Sequence, residues 1–177
     1  LASTPHGRRG AGRERLVLSD WDMNAPPPRA EVLRLRLPTQ PHHGAAVVEV
    51  TPTDRGLTAR AVWENNNMKN KFTSSVLYQD HLYGLDEAIL ACVDVRTGER
   101  KWKGGRYGYG QVLLAGGHLI VVTESGDLVL VKAAPERHQE LARFSAIEGK
   151  TWNHPAIGGG RLLVRNTTEM ACFRIAP

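Results

Sequence analysis

The chain lacks three features that would mark common functional classes. No stretch reaches the roughly 18 consecutive apolar residues that a membrane-spanning helix needs, so we expect no membrane span. Only two cysteines occur and they form no C-x-x-C pair, so a metal site has little support. None of the G-x-S-x-G, H-E-x-x-H, P-loop or dinucleotide-binding fingerprints is present. The sequence therefore predicts a protein that is not an enzyme and has no identifiable small-molecule ligand.

The composition favours an all-β protein. Apolar residues make up 41% of the 177 residues and charged residues 23%, which is typical of a globular chain. Eighteen glycines and ten prolines accompany few patterns of helical period. Many short strands separated by turns explain these numbers better than a helical bundle does.

The positive charge lies mainly at the beginning of the chain. The net charge is +5, and residues 1–43 hold seven arginines against four acidic residues. The remainder has sixteen basic and fourteen acidic residues, so no basic face of the kind that binds nucleic acid is expected there. We predict no nucleic-acid partner.

Residues 1–43 are predicted to be irregular or extended. Three consecutive prolines at 26–28 cannot join a central strand, and only Arg15–Ser19 and Val32–Leu37 resemble strands. A basic arm that binds a partner is the alternative. Because Leu1 opens the chain without an initiator methionine, we expect a piece of a longer protein.

A repeat begins at residue 44. Leu82, Leu119 and Leu162 each follow a turn and open an apolar strand, and a second strand follows in each unit. Their spacings suit about four short strands per repeat, as in a propeller blade. The sequence predicts a partial β-propeller, a fragment of a larger ring, with blades at residues 44–71, 72–108, 109–150 and 151–177.

One segment carries a resemblance to a known family. Residues 91–102, A-C-V-D-V-R-T-G-E-R-K-W, resemble the A-x-D-x-x-T-G-x-x-x-W signature of PQQ-like, or quinoprotein-type, β-propeller repeats. The resemblance covers residues 44–177 and is strongest over 72–144. We expect Thr97 and Gly98 to form a tight turn and Trp102 to fill the interface between blades, with Trp63 and Phe144 in corresponding positions.

The resemblance has two possible functional consequences. It is closer to the cofactor-free propeller proteins than to the dehydrogenases, because the adjacent cysteines and the calcium-binding residues of the dehydrogenases cannot be assigned here. It therefore implies a binding or scaffolding module without a cofactor, in the periplasm or at the cell surface of a bacterium. The alternative is a fragment of a PQQ-dependent dehydrogenase whose full-length parent binds PQQ and calcium through residues outside this chain.

The aligned repeats predict one candidate binding site. Phe72, Tyr109 and Trp152 each stand ten residues before the repeated leucine, where a blade's innermost strand begins. Those strands line the central channel of a propeller, so aromatic and polar groups should converge at one channel mouth and bind a protein or peptide. Packing of the blade edges is the alternative. The other candidates of this mouth are Ser74, Gln111, His154, Lys69 and Asn70.

The remaining polar and sulfur-containing residues have structural interpretations. The asparagine-rich run at 65–71 is predicted to be a loop. Cys92 and Cys172 occupy equivalent positions in different blades, so we expect two buried free thiols. His81 and His118 are expected at equivalent turns.

Overall fold

Antiparallel strands make up the regular structure of this chain. A computed structural model describes residues 30–32, 44–54 and 56–175, and fourteen strands but no helix occur among them. The strands form four sheets in chain order, and the all-β partial propeller predicted from the sequence is confirmed. Apart from Ala30–Val32, the basic segment predicted at residues 1–43 lies outside the described residues.

The first two sheets contain three and four strands. The first is made of β1 (Ala30–Val32), β2 (Ala45–Thr53) and β3 (Gly56–Asn65), paired in that order. The second is made of β4 (Val76–Tyr78), β5 (His81–Asp86), β6 (Ile89–Asp94) and β7 (Arg100–Arg106).

The last two sheets follow the same arrangement. The third is made of β8 (Gln111–Ala115), β9 (His118–Val122), β10 (Asp127–Lys132) and β11 (Glu140–Ser145). The fourth is made of β12 (Ala156–Gly158), β13 (Arg161–Arg165) and β14 (Met170–Arg174). The strand β4 contacts β8, so the first strands of neighbouring sheets lie together.

The turn between β6 and β7 shows why glycine is required at position 98. The Asp94 carboxylate accepts hydrogen bonds from the backbone amides of Arg96 and Thr97 at 2.8 and 3.1 Å. Gly98 has a φ of +74°, a conformation that costs other residues energy. A Cβ at this position would lie 2.7 Å from the Trp63 ring, so the turn also needs the space that glycine leaves.

Both faces of the second sheet are buried, because it lies between two neighbours. Leu82, Ala91 and Val93 face the first sheet, where they pack against Ala45 and Val47. Alternate residues point the opposite way and face the third sheet, in a cluster that contains Tyr83, Leu85, Leu90, Cys92, Val112, Leu119, Val121, Val129 and Val131. A third cluster joins the third sheet to the fourth through Val122, Leu128, Ile147, Leu162 and Val164.

Tryptophans connect neighbouring sheets. The indole Nε1 of Trp63 donates to the Val95 carbonyl oxygen at 2.8 Å, and that of Trp102 donates to Ala134 at 2.9 Å. Phe144 packs edge to face with Phe173 of the fourth sheet, with ring centroids 5.2 Å apart. In the pairing register Trp102 lies opposite Cys92. Phe144 lies opposite Leu128, whose equivalent in the second sheet is Leu90 and not Cys92, so the two aromatic residues do not occupy equivalent positions.

The two cysteines differ in burial, although they occupy equivalent places. Cys92 lies opposite Tyr83, and burial raises the pKa of its thiol to about 12. Cys172 lies opposite Leu163 in the same register but is exposed. The prediction of a buried thiol is wrong for Cys172, because this face of the fourth sheet has no neighbouring sheet among the described residues. Both cysteines are free.

Candidate functional site: an aromatic platform

Three loops meet where the first strands of consecutive sheets begin. Gln111, the first residue of β8, connects these loops. Its Nε2 donates to the Phe72 carbonyl oxygen at 3.1 Å and to the Trp152 carbonyl oxygen at 2.9 Å. Gln111 is 1% exposed, so its Nε2 group would be costly to leave without these two bonds. One buried side chain therefore holds the loops of the second, third and fourth sheets together.

The aromatic side chains of these loops form a continuous surface, here called the aromatic platform and defined as Phe72, Tyr109 and Trp152. The Phe72 and Trp152 rings stack with centroids 5.7 Å apart and an interplanar angle of 24°. Phe72 also meets Tyr109 edge to face at 5.8 Å. The Phe72 side chain is 63% exposed and that of Trp152 is 45% exposed, so much of this apolar surface faces solvent.

Glu124 fixes the orientation of two platform residues. Its Oε1 accepts a hydrogen bond from the Trp152 indole at 3.1 Å, and its Oε2 accepts one from the Tyr109 backbone amide at 3.2 Å. Glu124 lies in the turn between β9 and β10, where its backbone amide donates to the Tyr107 carbonyl oxygen. A carboxylate bonded on both oxygens holds the platform in a defined shape before any partner arrives.

Two lysines stand beside the platform. The Lys71 ammonium lies 5.1 Å from the centre of the Tyr109 ring and 3.3 Å from its hydroxyl oxygen. The Lys150 ammonium lies 4.5 Å from the centre of the Trp152 ring. Cation–π attraction favours both positions. The platform therefore combines an apolar centre with positive charge at its sides.

The other predicted residues of the channel mouth do not join the platform. Lys69 donates to Glu87 at 2.9 Å, a contact that raises the pKa of the lysine and lowers the pKa of Glu87. The Asn70 amide lies 2.7 Å from Ser75 Oγ. Ser74 and His154 are exposed, and neither side chain makes a hydrogen bond within the described part of the chain. The structure thus brings together the three aromatic residues and Gln111.

A buried carboxylate lies near Lys69. Asp86 is 1% exposed, and its oxygens accept bonds from Lys103 Nζ at 2.6 Å and from the Lys69 backbone amide at 3.1 Å. Arg100 lies 3.5 Å away. These pairings neutralise a charge that would be costly to bury alone, so the cluster has a structural explanation.

An open groove of about 680 Å³ lies next to the platform, between the turns of the second and third sheets. Its lining includes Tyr109, Glu124 and Lys150 from the platform region, together with Arg106 and Glu87. Charges of both signs therefore surround the apolar surface. In the described residues no group of three histidine, cysteine or acidic side chains is placed to hold a metal ion.

Glu124 and Lys150 were not predicted from the sequence as residues beside the platform. Glu124 follows the end of β9, in the place that Glu87 occupies after β5, so the repeat alignment contained a signal for it. Lys150 had no such signal, because the equivalent positions, two residues before Phe72 and Tyr109, hold Asn70 and Tyr107.

No protein-family model matches the sequence, and no curated protein matches it either. Among solved structures, the chain is similar to a computationally designed protein, Ika8, with a TM-score of 0.53 and 8% identity over 73% of this chain and 43% of that one. BamB from Moraxella catarrhalis gives a TM-score of 0.49 and 17% identity over 76% of this chain and 41% of that one. The chain spans about two fifths of the length of these structures. At 8% identity the likeness to Ika8 concerns the fold alone.

The described residues contain no helix with the length and hydropathy that crossing a membrane requires.

Proposed function

We propose that this protein is a non-enzymatic binding module whose aromatic platform captures a protein or peptide partner. The observation that carries this proposal is the exposed stack of Phe72 and Trp152, fixed from below by the buried Gln111 amide. Apolar aromatic surface left in water is unfavourable unless something covers it. A rigid platform also loses little entropy when a partner binds.

A binding role also fits the chemistry of the side chains around the platform. Glu124 already bonds Trp152 and Tyr109, and Lys69 is paired with Glu87. These groups orient and neutralise one another, and none of them is matched with a nucleophile that it would activate. We therefore extend the proposal to a protein that works without catalysis and without a quinone cofactor.

The proposed location is the periplasm or the surface of a bacterial cell. This part rests on the resemblance of residues 91–102 to quinoprotein-type repeats, whose proteins are usually exported. Fractionation of an expressing bacterium into envelope and cytoplasmic extracts, followed by immunodetection, tests it. Recovery of the protein in the cytoplasmic fraction alone would contradict this location.

The binding proposal is tested by affinity capture from a bacterial envelope extract. Trp152→Ala should lose captured partners, because it removes a central aromatic contact. Lys69→Ala should retain them, since Lys69 already pairs with Glu87. Circular dichroism first establishes that both variants fold like the wild type. Equal capture by Trp152→Ala and the wild type would leave the platform as packing and contradict the proposal.

A further inference from the structure

The positive charges beside the aromatic platform restrict the kind of partner that can bind there. The contacts run in the order Lys71, Tyr109, Phe72, Trp152 and Lys150, so an ammonium group stands at each end of the apolar surface. Lys71 is exposed and Lys150 is 65% exposed. Both remain accessible to a ligand that covers the rings.

Neither lysine is neutralised by a close carboxylate. Within the described part of the chain no carboxylate lies within 4 Å of Lys71, whose ammonium contacts the Tyr109 hydroxyl instead. Lys150 approaches Glu124 only to 3.9 Å, and both oxygens of Glu124 already accept hydrogen bonds from platform residues. Lys69 provides the contrast, because Glu87 binds it at 2.9 Å.

We infer that the platform selects an acidic peptide segment, in which apolar side chains cover the rings and carboxylates on either side pair with Lys71 and Lys150. This inference rests on the proposed function and names the class of its partner. Carboxylates of the peptide form the close ion pairs that Lys71 and Lys150 lack within the described protein. Complementary charges of this kind set the specificity and the rate of association.

A protein segment fits this charge pattern better than a nucleic acid does. Single-stranded nucleic acids also use aromatic stacking, but they need a positive groove that follows successive phosphates. The groove beside the platform interrupts its positive charge with Glu124 and Glu87, so it offers no continuous positive track for such a backbone. An acidic peptide needs only the two ammonium groups of Lys71 and Lys150.

The test uses three synthetic peptides that share one apolar core, Gly-Leu-Phe-Leu-Gly, and carry two Glu, two Gln or two Lys residues on each side. Fluorescence anisotropy of labelled peptides gives their affinities for the folded protein. We expect the Glu peptide to bind about fivefold to tenfold more tightly than the Gln peptide at low salt. The Lys peptide should bind most weakly, and the differences should shrink in 1 M salt.

Variants connect this preference to the two lysines. Lys71→Glu combined with Lys150→Glu should reverse the order, so that the Lys peptide binds best. Lys132→Glu is the matched control, because Lys132 is exposed at the end of β10 that lies away from Glu124. It makes the same exchange of lysine for glutamate at a single position, half of the change of charge in the double variant, and should preserve the order of the wild type.

The outcomes separate this inference from the proposed function. Equal binding of all three peptides, lost in Trp152→Ala, would overturn the acidic preference and leave the platform as a binding site. Binding of none of them would overturn the acidic preference, and the function itself would then be decided by envelope capture. An oligonucleotide of thymidines that binds more tightly than the Glu peptide would also overturn the inference.

Discussion

The indole Nε1 of Trp102 donates a hydrogen bond of 2.9 Å to the carbonyl oxygen of Ala134, which lies beyond the last residue of β10. The contact joins the second sheet to the third. Trp63 makes the corresponding bond to Val95 one repeat earlier. The ring of Trp102 also packs against Tyr83 and His138, with centroids 5.9 and 5.6 Å away. This tryptophan therefore contributes packing and a hydrogen bond to the same interface.

Replacing Trp102 should separate these two contributions. Trp102→Ala should lower the free energy of unfolding by about 3 kcal/mol, the lower end for large aromatic truncations, because the ring is only half-buried. Trp102→Phe keeps most of the packing and should cost about 1 kcal/mol for the lost hydrogen bond. Urea denaturation followed by circular dichroism measures both.

His81→Ala is the control for Trp102. Within the described residues the His81 ring bonds only the Gln79 carbonyl oxygen of its own turn, so its removal should change stability by less than about 0.5 kcal/mol. A larger loss in His81→Ala than in Trp102→Ala would contradict the assignment of Trp102 to the interface.

Gly98→Ala should destabilise the protein by about 2 kcal/mol or more, because the new methyl group needs both a strained φ and space that Trp63 fills. Gly116 tests the strained φ alone, since its φ is +53° but no atom of the described part of the chain lies within 4 Å of a Cβ added there. Gly116→Ala should cost only about 1 kcal/mol. Equal losses of stability in these variants would show that the contact with Trp63 is unimportant.

Gln111→Ala should loosen the platform, because it leaves the carbonyl oxygens of Phe72 and Trp152 without their shared donor. We expect a loss of about 2 kcal/mol in stability. Backbone amide exchange should also become faster in the three loops that Gln111 joins, while exchange in β5 and β6 stays slow. Unchanged exchange in the loops would contradict the role assigned to Gln111.

Some residues of the site could be predicted from the sequence repeat, and others could not. The alignment on the three leucines placed Phe72, Tyr109 and Trp152 at equivalent positions, and equivalent positions at the inside of a ring converge. The alignment cannot show that Lys69 is drawn to Glu87 or that Cys172 faces solvent. Those outcomes depend on the neighbour each side chain meets, which differs from sheet to sheet.

Stability should fall when the pH drops below the ordinary pKa of histidine. Burial lowers the pKa of His138, although Glu140 works in the opposite direction. Its Nε2 lies 2.8 Å from the Tyr107 hydroxyl oxygen, which donates to Glu140 at 3.0 Å, and Arg143 binds the same carboxylate. As the pH falls, His138 therefore binds a proton near pH 6.5 in the unfolded chain but only at lower pH in the folded protein. Acidification through this range favours the unfolded chain.

The urea midpoint should accordingly decrease from pH 7.5 to pH 5.5. His138→Gln should show a smaller decrease over this interval, because it removes the titrating group but keeps a polar side chain. Carboxylates with lowered pKa values, Glu87 and Asp94 among them, lose their contributions only at more acidic pH. An unchanged slope in His138→Gln would assign the pH dependence to other groups.

Binding at the aromatic platform is the central claim, and calorimetric titration with a selected peptide tests it most directly. Peptides chosen from a random displayed library on the wild-type protein would be titrated into the wild type, Trp152→Ala and Leu57→Ala. Leu57 is the matched control, because it is a 75% exposed apolar residue on β3. We expect a loss of affinity of about thirtyfold in Trp152→Ala, as for a central aromatic anchor, and no change in Leu57→Ala. Wild-type affinity in Trp152→Ala would contradict the central claim.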